Sequence, residues 1–109
     1  MNNLTLGSQT YTKMELLNVL STAIGNGPKA DASLILADQL IAAKLNIANG
    51  SDPAPVSNTI THADSLLSGF SGKLPYNVKP SSANGQAMVN DAATLESYNN
   101  GNLTPGCAP

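Results

Sequence analysis

The chain has 109 residues, room for one domain and little more, and its 41% hydrophobic content is enough for a core. Only 4% of the residues are aromatic and none is Trp, so Leu and Ala must fill the interior, which favours close-packed helices over an aromatic-rich sandwich. The net charge is −2, and the cations Lys13, Lys29, Lys44, Lys73 and Lys79 are scattered rather than clustered, which argues against a nucleic-acid partner.

Leu4-Thr5-Leu6, Gly7-Ser8 and Gln9-Thr10-Tyr11 predict a short β-hairpin, with Gly first in a two-residue turn. A lone hairpin is marginal, so it must lean on the rest of the fold. Thr12 and Glu15 have capping-box spacing and open a first helix. Its expected apolar face is Leu16, Leu17, Val19 and Leu20, and Gly25-Asn26-Gly27-Pro28 is the expected stop. A second helix is expected from near Asp31 to about Asn49, closed by Gly50. Ser51-Asp52-Pro53 predicts the start of a third, with Asp52 as N-cap and Pro53 at the first helical position. Val56, Ile60, Ala63 and Leu67 recur along it at helical spacing up to Gly69. Residues 68–80 carry breakers and predict a loop. Ser81 or Ser82 caps a last helix to about Tyr98, with Met88, Ala92 and Leu95 on one face, and Asn99-Asn100-Gly101 ends it.

The second helix is the most informative segment. Leu34, Leu36, Ala37, Leu40, Ile41, Ala43, Leu45, Ile47 and Ala48 cover well over half of its circumference. Such a helix is wrapped by others, so it should form the core. The expected fold is mainly α: a compact bundle of about four helices over residues 13–100, a hairpin over 1–12, and a flexible tail over 101–109.

No apolar run approaches the ~20 residues that span a bilayer, so membrane insertion is not expected. Charged residues make up 11% of the chain, against about a quarter in an average protein, and Asn, Ser and Thr supply the polarity instead. That balance is common in secreted proteins. Met1-Asn2-Asn3 carries no basic segment and no apolar stretch follows it, so either the protein is cytosolic or a leader has been removed ahead of this chain, and the second is expected. Cys107 is the only Cys, either a free thiol or half of a bridge to a segment outside the chain.

Leu4-Thr5-Leu6-Gly7 with Tyr11-Thr12-Lys13 and Glu15-Leu16-Leu17 opens a pattern that spans nearly the whole chain. It continues through Leu36-Ala37-Asp38-Gln39-Leu40-Ile41-Ala42-Ala43-Lys44-Leu45-Asn46 and closes on Tyr98-Asn99-Asn100-Gly101. The pattern resembles a poorly characterised helical domain of predicted secreted and cell-surface bacterial proteins, and Leu-Ile-Ala-Ala-Lys-Leu-Asn is its most specific block. In that family the block often follows a Cys and a Gly-Tyr-Trp-Lys-Asn-His stretch, both absent here. If that Cys bonds the C-terminal one, Cys107 has lost its partner. The resemblance implies an extracytoplasmic surface-protein context, and it implies no activity and no site residues.

Few residues are left to carry chemistry. Asp38 and Lys44 lie in or beside the apolar arc of the second helix, where a charge needs a partner or a route to solvent. With Gln39 they are candidates for a small polar binding pocket. The plainer role is that Lys44 reaches solvent along its stem while Asp38 accepts local hydrogen bonds. Tyr98 and Asn99 are candidates for contact with a sugar or peptide, against the plainer role of core packing and helix closure.

His62 is the sole His, so any Ser-His-Asp or Cys-His site must use it, with Asp64 or Asp91 as orienter and a hydroxyl or Cys107 as nucleophile. Asp64 sits on the opposite edge of the helix from His62, and no Gly-x-Ser-x-Gly elbow is present. One His and one Cys give no zinc site of the usual kind, and no calcium loop occurs, so no metal and no cofactor are expected. Glu15 and Glu96 are the remaining idea for paired carboxylates, but Glu15 is explained by its cap. Asn3-Leu4-Thr5, Asn49-Gly50-Ser51 and Asn102-Leu103-Thr104 match the glycosylation tripeptide, as chance allows in an Asn-rich chain.

The expected function is a non-catalytic structural, adhesive or partner-binding module, its partner another protein or a cell-surface glycan. The alternative is a small secreted hydrolase using His62.

Overall fold

A computed structural model describes residues 3–22, 24–25, 30–70, 72, 74 and 76–100. Cys107 and the expected flexible tail lie outside the described residues, as does the third glycosylation tripeptide. Among the described residues the order is β1 (Asn3–Leu6), β2 (Gln9–Thr12), α1 (Lys13–Ser21), α2 (Ala32–Ala48), α3 (Ser57–Ser68) and α4 (Ala83–Asn99). The chain is thus a four-helix globule with an antiparallel two-stranded hairpin at its N-terminus. No described helix is long and apolar enough to cross a membrane.

The hairpin pairs Leu4 with Tyr11 and Leu6 with Gln9 across the Gly7-Ser8 turn. Leu4, Leu6 and Tyr11 point inward and are buried. Gly7 has φ +63°, and a Cβ there would lie 2.9 Å from the Leu67 Cβ, so only Gly lets the turn rest on the end of α3. Thr12 caps α1 by the full reciprocal box with Glu15. Helix α1 ends at Ser21, ahead of the Gly-rich stop, because Thr22 is already extended at ψ 130°.

Helix α2 is the core. Ala32, Leu34, Leu36, Ala37, Leu40, Ile41 and Ala43 are all at most 2% exposed. Helices α1, α3 and α4 and strand β1 all pack against it. Each buried Leu or Ile contributes about 1.5–3 kcal/mol relative to exposure. Its C-terminus is the expected one: Gly50 turns left-handed at φ +109°, its N–H donates to the Ile47 carbonyl, and the Ser51 N–H donates to that of Asn46.

Two expectations need correction. Helix α3 begins at Ser57, after Val56, and has no side-chain cap. Asp52 caps only a local turn, accepting the Ala54 N–H at 3.0 Å. Pro55 lacks an N–H and disfavours the helical conformation at Ala54, so one turn forms before the regular helix. The second correction concerns α1. Only Leu16 and Val19 face the core, whereas Leu17 and Leu20 stay exposed.

Candidate functional site

The predicted site residues separate into three groups, and the first ties the fold together. Lys44 does not run out to solvent. Its Nζ donates to both carboxylate oxygens of Asp64, at 3.0 and 2.9 Å, and to the Thr5 carbonyl. Asp64 Oδ1 also accepts the Gly7 N–H at 2.9 Å. One ion pair therefore joins α2, α3 and the hairpin. A sequence signal for it existed: Lys44 and Asp64 each sit on the core-facing edge of an amphipathic helix, and two such opposite charges are best placed together.

Gln39 and Asn99 form the second group. Asn99 Nδ2 donates to the Gln39 side-chain oxygen at 2.9 Å and to its carbonyl at 3.1 Å, while Asn46 Nδ2 donates to Asn99 Oδ1. Tyr98 is 2% exposed, and its hydroxyl donates to the Asp52 carbonyl at 2.8 Å. These residues hold α4 on α2 and on the turn before α3. Tyr98 thus takes the plainer role of core packing, and Asn99 is half-buried and bonded within the fold. Among the described residues Gln39 and Lys44 do not share a pocket: Gln39 turns to Asn99 and Lys44 to Asp64.

Asp38 is the exception among the polar groups. It is half-buried, and its Oδ1 is removed from solvent without a hydrogen-bond partner, contrary to the local bonds expected for it. Burial raises its carboxyl from 3.8 to about 6. A carboxyl raised in the folded state adds stability below about pH 4, and that contribution disappears as the pH rises through 6. Asp38→Asn is therefore expected to be more stable than wild type at pH 7.5, by about 1 kcal/mol after allowing for solvent screening. At pH 4 the gain should vanish. Urea midpoints of dilute protein at the two pH values test this, and an equal gain at both would trace it to packing instead.

The third group is His62 with Asp91. His62 Nδ1 lies 2.6 Å from Asp91 Oδ2, linking α3 to α4, whereas Asp64 is committed to Lys44. Of the two orienters considered, Asp91 is the one in place. The pair has the base-and-orienter half of a hydrolytic triad. The His62 side chain is 56% exposed, however, and no described hydroxyl bonds its other ring nitrogen. Neither described cavity includes it. A nucleophile activated by His62 would need fixed geometry and exclusion of water, and neither is provided.

A buried cluster escaped the sequence. Asp31, 7% exposed, accepts from the Ser33 N–H and hydroxyl, the Val78 N–H and the Asn77 N–H. Ser33 Oγ accepts the Tyr76 N–H, and the Ala32 N–H donates to the Val78 carbonyl. Asp31 thus caps α2 and pins residues 76–78 across its start, with Asn77 left-handed at φ 56°. This cluster is architecture: its polar groups bond to one another and to the backbone it pins.

Two features remain open among the described residues: a cavity of about 200 Å³ with mixed lining from Tyr11, Glu15, Asn18, Val19, Thr22 and Leu74, and an apolar face on α1. Met14, Leu17 and Leu20 on α1 are 68%, 49% and 45% exposed. Beside them, Lys13, Leu16, Leu17 and Leu20 of α1 and Ile41 and Leu45 of α2 line a groove of about 170 Å³. The signal in the sequence was an excess of apolar positions: Met14, Leu16, Leu17, Val19 and Leu20 are too many for one buried stripe of a nine-residue helix. No protein-family model matches this chain, and neither a curated protein nor a solved structure does.

Proposed function

We propose that the chain is a non-catalytic interaction module of an extracytoplasmic bacterial protein, and that α1 carries its working face. The observation behind this reading is the exposure of Met14, Leu17 and Leu20 beside the groove formed with α2. Contiguous apolar surface of this kind marks sites of association. The polar candidates support the same reading by elimination, since Gln39, Lys44, Asp64, Tyr98 and Asn99 bond within the fold. The extracytoplasmic setting rests on the low charge content and on the resemblance. The hydrolase alternative rests on the His62–Asp91 pair alone.

Titration of the ¹⁵N-labelled chain with 1-hexanol tests the face. Amide shifts are expected to concentrate at Lys13–Leu20, Ile41 and Leu45, and shifts elsewhere would overturn the assignment. Hydrolysis of p-nitrophenyl acetate by the same protein should not exceed that of free imidazole. A faster rate abolished by His62→Ala would favour the hydrolase.

A further inference from the structure

The groove has polarity along its length. Lys13 stands at the end where α1 begins, and it has no ion pair or hydrogen bond among the described residues. The other end is set by chain direction. Ile24, three residues past α1, meets the start of α2, where its carbonyl accepts the Asp31 N–H at 2.8 Å. The C-terminal end of α1 therefore adjoins the N-terminal half of α2. Asp38 lies in that half, one turn before Ile41. At 100° per residue it falls about 20° from Leu45 and about 60° from Ile41 around α2, on the groove side. An unpaired cation thus stands at one end of the groove, and an unpaired, half-buried carboxylate lies just beyond the lining at the other, with apolar side chains between them.

The apolar row is symmetric in the same sense. Met14 and Leu20 lie three residues on either side of Leu17. A two-fold axis through Leu17 sets Met14 of one copy against Leu20 of the next, and sends Lys13 toward Asp38 at the far end of the neighbouring groove. Isologous contacts require this reciprocity. A partner of any other shape would have to supply its own complement to both charges; a second copy already has them in register.

We propose that the chain self-associates as a two-fold dimer through α1, each copy laying Met14, Leu17 and Leu20 into the other's α1–α2 groove with Lys13 against Asp38. This rests on α1 being the interaction face and adds the identity of the partner. One short helix and its groove form a contact at the small end of specific interfaces, below about 1,200 Å² in total. The dimer is accordingly a concentration-dependent one, half-formed somewhere between about 10 µM and 1 mM.

Sedimentation velocity of the whole chain from 10 µM to 1 mM at pH 8 tests the proposal. Monomer is expected to give way to dimer across that range, and Leu17→Glu should leave only monomer while its circular dichroism stays that of wild type. Lys13→Glu places two acids together and should weaken association at least about tenfold. Lys13→Glu combined with Asp38→Lys should restore it to within about threefold. If Asp38→Lys does not fold, Lys13→Glu and Leu17→Glu carry the test. Monomer at every concentration would overturn the proposal, as would a dimer indifferent to Leu17→Glu, or a folded charge-swapped variant that fails to recover. Monomer throughout with the hexanol shifts still on α1 rejects the second copy and leaves the face standing. Loss of those shifts rejects both.

Discussion

Gly85→Ala is expected to destabilise the protein by about 3 kcal/mol, although alanine in place of a helical glycine normally stabilises by up to about 1 kcal/mol. Gly85 is the third residue of α4, and its N–H is capped by Ser82 Oγ at 3.0 Å. A Cβ at this position would lie 1.8 Å from the Lys79 carbonyl oxygen and 2.9 Å from the Pro80 Cα. Both obstacles are backbone, so no rotamer change relieves the overlap. The 79–80 segment would have to move, and it is joined directly to Val78 on the Asp31 cluster. A loss of this size corresponds to roughly 12–20 °C in Tm for a domain of this length. Gly69→Ala is the control, since its Cβ would meet only the Leu66 carbonyl oxygen at 3.7 Å. Thermal melts of the two variants should differ widely. A neutral Gly85→Ala would mean that α4 does not approach the loop so closely.

Asp31→Ala should cost about 3–4 kcal/mol. The N-cap bond to Ser33 accounts for about 1 kcal/mol of that. The remainder comes mainly from the buried Val78 N–H, left without an acceptor, and from the lost bond to the Asn77 N–H at the exposed edge of the cluster. Asp31→Ser separates the two parts, because a hydroxyl can cap α2 but is too short to reach residues 77 and 78. It should recover about 1 kcal/mol in urea unfolding. In both variants the Val78 amide is expected to exchange its hydrogen much faster than in wild type. Unchanged exchange there would show that the segment is held by its apolar contacts instead.

Local rules made most of the fold legible. The Thr12 and Glu15 box, the Gly7-Ser8 turn and the Gly50 terminus need only residues a few positions apart, and each formed as its chemistry dictates. The nearly all-round apolar surface of α2 also revealed its central place. What stayed hidden depends on partners distant in the chain. Asp31 looked like an ordinary helix start because its acceptors serve residues 77 and 78, and nothing local points to them. For Tyr98 and Asn99 the sequence left surface contact open beside core packing, and only α2 and the turn before α3, laid beside them, supply the partners that decide their packing. Leu17 and Leu20 fit an amphipathic stripe by spacing, but which edge of α1 is covered is decided by how the hairpin and α2 pack. Asp52 followed the N-cap rule and was overridden by Pro55 three residues on.

The Lys44–Asp64 pair also bears on the order in which the chain acquires its structure. The hairpin is made before the helices, yet the Asp64 carboxylate that receives its turn comes 57 residues later, and the Leu74 N–H that meets the Tyr11 hydroxyl comes 63 residues later. Two isolated four-residue strands are only marginally stable in water. During synthesis the hairpin can therefore gain its full set of partners only once α3 and the segment behind it have been made. Closing such long loops costs entropy before it returns contact energy. The hairpin thus completes its contacts late, with α2 and its flanking helices as the surface on which it settles.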